Sequence, residues 1–480
     1  MTAHPRSPDE PSGGNVASVR IEGPQRRLSP RDASFLYLER PHSPLHIACI
    51  AIVDGPVSRT ALAARIESRL ARMSRYAQRA VPAPLRVDHP SWEDDPDFDP
   101  YQHVQCWALP TPGGEAELLD VVEALLVRSL DRSRPLWEMH VVEGLHDGRT
   151  AVVQKVHHCM VDGVAGAQLL EVLLDRSSDA REGPPVVTRF EPPSARSRLY
   201  GALADGLRRQ GRAAAATLAP LVWPTARRAA AAHLRQAASS VISIAARRPA
   251  ALPWNGPIGR RRSLAFTRLP MDGVRCVRAA QGGTVNDVVL STIAGALHRY
   301  LEANGTPTKG LELKALVPVS LRGPHQRDAL GNRISAMLLP LAVGPREETE
   351  RLAATRAASD RLKASAAWEG IDWLLGLVDV TPPPLLELIE RRLGFAGVAN
   401  LIVTNVRGPA ETRYLCGARV EALHPVVPIV DGLGLGVAVF SYAGWLHVGL
   451  HADADCLPDV EKLRQGFEEA FRELVASSHG

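Results

Sequence analysis

The sequence predicts a two-domain protein of the α/β class. With 480 residues, the chain exceeds the size at which a single hydrophobic core stops growing, so two domains are expected. Segments with the alternating pattern of β-strands are followed by segments with the spacing of amphipathic helices, which predicts layers of sheet and helix. The composition, 45% hydrophobic and 22% charged, is ordinary for a globular protein.

The N-terminal domain is predicted over residues 28–182, after a segment, residues 1–27, that is expected to be disordered and has no signal-peptide core. It opens with LSPRDASFLYLE, in which Ser29 has the position of a helix N-cap and Pro30 the first helical position. A strand is predicted over His46–Val53. Strand and helix patterns then alternate as far as the end of this domain.

The segment between the two predicted domains, residues 183–262, has a different composition. A proline-rich linker precedes an alanine- and arginine-rich stretch from Leu199 to Arg248, where eight arginines accompany one acidic residue, Asp205. Such a stretch is either a pair of amphipathic helices on anionic lipid or a solvated helical connector. Both interpretations stay open, and the second domain is predicted over residues 263–480.

Charge, cysteine spacing and hydropathy exclude several classes of protein. The net charge of +4 is too small to indicate a nucleic-acid partner. The six cysteines form no CxxC pair, which argues against a disulfide framework or a zinc site and favours reduced thiols in the cytoplasm. No stretch has about 18 consecutive apolar residues, so any contact with a membrane is expected to be peripheral.

The main candidate for chemistry is the segment HHCMVDG, which begins at His157. It lies between a β-branched run, Thr150–Val156, and a run of leucines at helical spacing. A histidine at such a junction, here His158, can serve as a general base because its pKa lies close to neutral pH. Asp162 is expected to fix the loop, and Gly163 to ease the turn.

Three other interpretations of the histidine pair stay open at this point. A metal shared by His157 and His158 is disfavoured, because adjacent side chains on an extended segment point to opposite faces. A thiol nucleophile at Cys159 would have to face a histidine, which adjacency in sequence does not supply. Both histidines could also be structural residues of the core.

In the second domain the segment TVNDVVL places Asn286 and Asp287 in the first turn of a predicted helix that ends at Gly305. Helix capping accounts for a polar pair in this position, and Asn286 could cap the helix and still face a site. Further strands are predicted in LKALVPVSLRG, LGNRISAMLLPLAVG, ANLIVTNVRGP and LGLGVAVFSYAGWLHVGLHAD, and a last helix follows over residues 458–476.

Several of these motifs, in this order, resemble the bacterial wax ester synthase/diacylglycerol acyltransferase family. The resemblance runs from Leu28 to about Leu474 and includes LSPRDASFLYLE, the segment PLWE (Pro135–Glu138), HHCMVDG, the Asn-Asp pair, VPVSLRG followed by LGNRIS, and TNVRGP followed by SYAGWLHVGLHAD. It implies two chloramphenicol acetyltransferase-like domains, each a mixed β-sheet flanked by helices, with an active-site tunnel at their interface.

The resemblance also implies roles for single residues. His158 would be the base that deprotonates the acceptor alcohol, His157 would pack beneath it, and Asp162 would hold the loop. Asn286 would support the site from the second domain, while Asp287 would be structural.

Donor, acceptor and location are implied in the same way. The donor would be acyl-CoA and the acceptor diacylglycerol or a fatty alcohol, with no metal, no cofactor and no covalent enzyme intermediate. The protein would be cytoplasmic and peripheral to the inner membrane or to lipid droplets. Two other functions stay open: a condensation-type acyltransferase acting on a carrier-protein thioester or a specialised alcohol, and a catalytically silent protein that binds lipid droplets.

The sequence departs from the family pattern at two positions. Cys159 follows the histidines where the family usually has a small residue such as alanine. Arg407 replaces the proline of an NVPGP-type segment, and could either alter the loop or add a contact to a phosphate.

Overall fold

The computed structural model describes residues 27–160, 171–179, 193–222, 249–320, 334–364, 376, 378–379, 381–393 and 397–479. The strands, numbered along the chain, are β1 (His46–Asp54), β2 (Gln78–Val81), β3 (Ser91–Asp94), β4 (Val104–Ala108), β5 (Trp137–Glu143), β6 (Thr150–His157), β7 (Arg262–Pro270), β8 (Leu313–Ser320), β9 (Ile334–Leu341), β10 (Leu401–Arg407), β11 (Tyr414–Leu415), β12 (Ala418–Val426), β13 (Leu435–Tyr442) and β14 (Trp445–Asp453). The α-helices whose bounds fall within these residues are α1 (Pro30–Leu38), α2 (Arg59–Arg69), α3 (Pro100–His103), α4 (Glu115–Leu126), α5 (Ala195–Val222), α6 (Met271–Gln281), α7 (Val285–Ala303), α8 (Glu348–Ala364), α9 (Pro383–Leu393) and α10 (Val460–Ala476).

The first sheet carries the histidine pair at the end of a central strand. Its order is β11-β12-β1-β6-β5-β4, and β1 and β6 pair antiparallel with His46 opposite His157. Every residue of β6 is buried, as expected for an apolar run covered on both faces. The strand predicted over Thr150–Val156 is therefore confirmed.

Helix α1 packs at the same end of the first sheet. It begins as predicted, because the Ser29 hydroxyl accepts a hydrogen bond from the Asp32 backbone N–H at 3.1 Å and Pro30 occupies the first helical position. The helix ends at Leu38, so Phe35 in its last turn and Glu39 at its C-cap are carried towards the histidine pair.

The second sheet is mixed. Its order is β7-β14-β13-β10-β8-β9, and β10 runs parallel to both β13 and β8. Helix α7 covers it with Val288, Ile293 and Leu297, which pack in the core of this half together with Phe467 of α10. The helix predicted in this segment is confirmed, and its apolar face lies against the core.

The second half of the chain also supplies two strands to the first sheet. After β10 the chain crosses to the first sheet, where β12 pairs antiparallel with β1 from Val426 opposite Ala48 to Arg419 opposite Asp54, and β11 extends that edge. The chain then returns to the second sheet as β13. The boundaries predicted from sequence, 28–182 and 263–480, did not include this insertion.

The two sheets meet closely beside β12. A Cβ atom on Gly449 of β14 would overlap the backbone carbonyl of Pro425, so the backbones approach to a distance that only glycine allows. Phe266 of β7 and Ala422 of β12 pack in one apolar cluster with Ile50 of β1. Side chains from both halves therefore share the region between the sheets.

The alanine- and arginine-rich connector is a helix where it is described. Arg209 of α5 pairs with Asp88, and Asp205 accepts from the Arg27 guanidinium at 3.0 Å, so α5 is attached to the first domain. Residues 223–248, with the other half of the predicted basic stretch, lie outside the described residues. Within the described residues, no helix combines the length and the hydrophobicity needed to cross a bilayer.

Candidate active site

The histidine pair lies where β6 ends and a single turn of 3-10 helix, His158–Met160, begins. The His157 backbone N–H donates to the carbonyl of Leu136 at 2.9 Å, and the His158 backbone N–H donates to the carbonyl of Leu45 at 2.8 Å. The backbone of both histidines is therefore held by neighbouring segments, and Leu136 belongs to the PLWE motif that the sequence singled out.

The ring of His157 is fixed from both sides. Its Nδ1 accepts a hydrogen bond from the Cys159 backbone N–H at 3.1 Å, so the neutral ring carries its proton on Nε2. Nε2 lies 3.6 Å from Oε1 of Glu39, and the side chain is 1% exposed. Both ring nitrogens of His157 thus face groups of the protein, as expected for a residue that holds its neighbour His158 in place.

Glu39 is the centre of a buried polar cluster next to the pair. Its Oε1 lies 3.4 Å from Nε2 of His46 and accepts from the Leu45 backbone N–H at 3.3 Å, while Arg132 donates to Oε2 at 2.5 Å. Burial by itself raises the pKa of the Glu39 carboxyl, but the close approach of His157, His46 and Arg132 lowers it, and the resulting pKa lies well below the ordinary value. The carboxylate therefore stays ionised beneath the histidine pair.

The ring of His158 stacks on Phe35, with ring centroids 3.9 Å apart. It lines a cavity of about 100 Å³ between the two sheets. The cavity is otherwise apolar over most of its wall, which includes Ile47, Cys49, Val156, Thr404, Val406, Val439 and Phe440. His158 is thus the imidazole that faces a space shared by both halves.

Burial lowers the pKa of His158 from 6.5 to about 4, and the neighbouring His157 acts in the same direction. The imidazole is therefore neutral at pH 7, which is the form that accepts a proton. Among the described residues, no carboxylate forms an ion pair with His158. The role as a base that the sequence predicts for His158 would thus depend on a neutral ring rather than on a charged partner.

The other residues predicted for the site have different outcomes. Asp162 and Gly163 lie outside the described residues. Asp287 caps α7, since its Oδ2 accepts from the Thr284 backbone N–H at 2.9 Å and from the Thr284 hydroxyl at 2.7 Å. Asn286 follows this cap in the first turn of the helix and is not among the residues lining the His158 cavity. Its supporting role stays a prediction.

Two contributors to the site were missed from sequence. Phe35 and Glu39 both belong to LSPRDASFLYLE, which predicted a helix start and contributed to the family resemblance but indicated no site residue. The available signal was a glutamate directly after an apolar helical turn, because an acidic residue buried at a helix end requires hydrogen-bond donors. Thr404 and Val406 line the His158 cavity only because the two sheets pack together. No pattern in the sequence around these two residues predicts that position.

The lowered pKa of His158 predicts a specific pH profile. Because the base must be neutral, kcat/KM should stay level from pH 8 down to about 5 and fall only as pH approaches the His158 pKa of about 4. The measurement is initial rate over this range in constant ionic strength, with circular dichroism at each pH to confirm folding. A half-maximal rate near pH 6.5, the ordinary pKa of histidine, would contradict the assignment.

Two models of one protein family match most of the chain. Residues 28–289 match the family model of the wax ester synthase/diacylglycerol acyltransferase catalytic domain, and residues 330–475 match its C-terminal domain. A probable diacylglycerol O-acyltransferase, tgs1, of Mycobacterium tuberculosis is 34% identical over 459 residues, which are 94% of this chain and 96% of the relative. A further putative diacylglycerol O-acyltransferase of that organism is 32% identical over 463 residues, or 94% of this chain and 90% of the relative.

Solved structures show the same architecture. The wax ester synthase/diacylglycerol acyltransferase from Marinobacter aquaeolei VT8 has a TM-score of 0.66 and 25% identity, and the match covers 95% of this chain and all of that one. The first condensation domain of the calcium-dependent antibiotic synthetase has a TM-score of 0.59 at 19% identity, covering 94% and 95%. The predicted two-domain acetyltransferase-like α/β fold is confirmed.

Proposed function

Because the chain belongs to the wax ester synthase/diacylglycerol acyltransferase family, we propose that it transfers a long-chain acyl group from acyl-CoA to the hydroxyl group of diacylglycerol or a fatty alcohol, with His158 as the base. Family membership makes the chain an acyltransferase, and the choice of acceptor and the role of each residue are the proposal. The observation that supports it best is a neutral His158 facing an apolar cavity between the two sheets. That position suits a reaction between two lipid substrates that meet from the two halves.

In the proposed reaction His158 removes the proton from the acceptor hydroxyl as its oxygen attacks the thioester carbonyl. The tetrahedral adduct then breaks the carbon–sulfur bond, and the imidazolium returns the proton to the departing thiolate. The products are an ester and the free thiol of coenzyme A, and the enzyme ends in its starting protonation state. No metal, cofactor or covalent intermediate takes part in this proposal.

Two features of the cavity support this sequence of proton transfers. Apolar walls formed by residues such as Val406 and Phe440 keep water from competing with the acceptor hydroxyl. The absence of an ion pair between His158 and a described carboxylate leaves the transient imidazolium acidic, so it readily gives its proton to the thiolate. In this proposal His157 and Glu39 do not contact the substrates. They hold in place the segment that carries His158.

The direct test is product formation by the purified protein. Labelled long-chain acyl-CoA is supplied with diacylglycerol, with a fatty alcohol, or with neither, and the esters are separated by thin-layer chromatography. We expect triacylglycerol or wax ester to form only when an acceptor is present. An acylated carrier protein as the sole productive donor would instead favour a condensation-type enzyme, and no ester from any pair would contradict the proposal.

We also propose that the protein docks peripherally on an anionic lipid surface. Leu85 is 86% exposed, and apolar side chains on α5 and α9 are exposed beside it: Tyr200, Leu203, Leu207, Leu385, Leu388 and Ile389. These elements are neighbours, because Arg86 pairs with Glu387 of α9 at 3.1 Å and Arg209 of α5 pairs with Asp88. We call these exposed apolar side chains on neighbouring elements the leucine surface.

The charges around the leucine surface favour anionic lipid. Arg86 and Arg208 have side chains 74% and 70% exposed, and Arg391 of α9 is 55% exposed. An apolar face with basic side chains at its margin is typical of segments that lie in a membrane interface, where each basic residue contributes about 1 kcal/mol. The helix α5 thus favours the lipid-facing interpretation of the connector.

Charged substitutions on the leucine surface should release the protein from vesicles. Burying one leucine side chain contributes about 2 kcal/mol, so Leu207→Asp or Leu388→Asp is expected to lower partitioning onto phosphatidylglycerol vesicles by at least roughly tenfold. The measurement is co-sedimentation, compared with neutral phosphatidylcholine vesicles. Tyr101→Asp is the matched control, since Tyr101 is 36% exposed but lies on α3. Equal sedimentation of all variants would rule out this surface.

A further inference from the structure

We propose that a cationic cavity at the ends of β10 and β13 binds the phosphate groups of coenzyme A. The inference rests on the proposed function, since it assigns the donor a second point of attachment away from His158. The cavity has a volume of about 470 Å³. Three arginines line it, namely Arg275 and Arg278 from α6 and Arg407 from the end of β10.

The positive charge of this cavity is largely uncompensated. None of the described residues lining it is acidic. Arg275 pairs with Asp272 at 2.6 Å. Arg278 donates its Nε–H to the carbonyl of Gly283 at 3.1 Å, and its terminal nitrogens have no hydrogen bond to any residue that the structure describes. Arg407 is exposed, and its guanidinium group has neither a hydrogen bond nor an ion pair with any described residue. Guanidinium groups in this state suit phosphate, which they bind through paired N–H donors.

A larger cavity between the two halves of the chain differs from the cationic cavity in its charge. It has a volume of about 720 Å³ and contains three arginines, Arg149, Arg268 and Arg419, but also the carboxylates of Glu115, Glu421 and Glu468. Glu421 lies 3.5 Å from Arg149 and 2.9 Å from Arg419. Three arginines and three glutamates balance in this cavity, so it offers no site for a polyanion. The cavity at Arg407, in contrast, has three arginines and no acidic residue among its described lining residues.

The cationic cavity lies next to the His158 cavity along the same strand. Thr404 and Val406 of β10 line the cavity of His158, whereas Asn405 and Arg407 line the cationic cavity, as expected when successive side chains alternate between faces. Both cavities lie towards the carboxyl ends of the parallel strands β10 and β13, where open α/β sheets bind ligands. Acyl-CoA has its thioester and its phosphates at opposite ends of a long pantetheine arm, and the proposal requires this arm to extend from the His158 side of β10 to the side of Arg407.

The backbone beside Arg407 is held firmly. The Gly408 N–H donates to the carbonyl of Ser441 on β13 at 3.1 Å, and a Cβ atom on Gly408 would overlap the ring of Phe440. Phe440 itself lines the His158 cavity. The backbone next to Arg407 therefore packs against Phe440, which also forms part of the wall of the His158 cavity.

The test separates the phosphates of the donor from its thioester. Arg407→Gln and Arg278→Gln are assayed with a long-chain acyl-CoA and with the corresponding acyl-pantetheine, which has the thioester but lacks the adenosine phosphates. Each substitution should raise KM for acyl-CoA roughly tenfold, the effect of losing one charge-assisted hydrogen bond. We expect kcat, and both constants with acyl-pantetheine, to change less than about twofold. Arg176→Gln, an exposed arginine outside the cavity, is the matched control.

Unchanged KM values for acyl-CoA, or equal losses with both donors, would overturn the inference. Calorimetry with coenzyme A and with 3′,5′-ADP keeps it separate from the proposed function: arginine-dependent binding without acyl transfer would uphold the phosphate site while the reaction assignment fails. Co-sedimentation of the same variants with phosphatidylglycerol vesicles distinguishes the other source of phosphate. Loss of vesicle binding with unchanged nucleotide binding would show a lipid headgroup site and overturn the assignment to coenzyme A.

Discussion

Replacing His158 by glutamine is expected to lower kcat/KM for acyl transfer by roughly 10²- to 10⁴-fold, the usual contribution of a general base. Glutamine keeps a polar side chain of similar length against Phe35, which stacks on the native ring, but cannot accept a proton at pH 7. The loss should appear mainly in kcat, because in the proposed reaction the thioester and the acceptor still enter the same cavity. Initial rates with saturating acyl-CoA and each acceptor provide the measurement.

The control for this substitution is a histidine of the same chain that is remote from the site. His479→Gln alters an exposed ring near the C-terminus and should leave the rate unchanged. Thermal unfolding of both variants shows whether the fold is kept. A His158→Gln variant that is folded and retains activity within a few fold of the native enzyme would remove His158 from the chemistry.

Replacing Glu39 by glutamine is the second substitution expected to have a large effect. The side chain is 7% exposed and lies between His46, His157 and Arg132, so its loss removes the acceptor of several charge-assisted contacts at once. We expect a loss of about 2 kcal/mol in the free energy of unfolding, the worth of a hydrogen bond to a charged group. Activity should fall by roughly 10- to 100-fold, because His158 follows any displacement of the adjacent His157.

The dependence on pH distinguishes this role from simple packing. The pKa of Glu39 is lower in the folded protein than its ordinary value of 4.5, so its carboxylate contributes stability in full above pH 4.5. That contribution is lost as pH falls through the lowered pKa of the folded state. The difference in unfolding free energy between the native protein and Glu39→Gln should therefore shrink in acid, as measured by urea unfolding from pH 7 downwards.

A matched control for Glu39 is the exposed Glu171, whose change to glutamine should alter neither stability nor rate. A constant difference between native protein and Glu39→Gln at every pH would indicate a packing role only. Unchanged kcat in Glu39→Gln would show that the cluster does not position the histidine pair.

What the sequence could predict was local. Ser29 and Pro30 indicated the start of α1, and the apolar run before the histidine pair indicated a buried strand, because caps and periodicity act within a few residues. The choice of His158 over His157 came from the resemblance to a family. The structure adds a physical basis for it, since the His157 ring is held by Cys159 and Glu39 while His158 faces a cavity.

The rest depended on contacts between distant parts of the chain. Glu39 reaches His157 only because β1 pairs with β6 in a register that places His46 opposite His157. Thr404 and Val406 reach the cavity only because the second sheet packs against the first. For Asn286 and Asp287, by contrast, a local interaction is a sufficient explanation. Asp287 caps the helix, so a polar pair at this position need not indicate a functional site.

The path of residues 414–426 has a consequence for how the protein is made. Strand β12 covers the edge of β1, so a nascent chain that has completed β1 and β6 still presents an unpaired strand edge, and such edges invite pairing with other chains. Since β6 ends at His157 and β12 begins at Ala418, that edge is closed only after about 260 further residues have left the ribosome. The first domain therefore cannot finish folding as an independent N-terminal unit. A fragment ending before Tyr414 should remain bound to chaperones or aggregate, and addition of the missing C-terminal fragment should be needed to complete the first sheet.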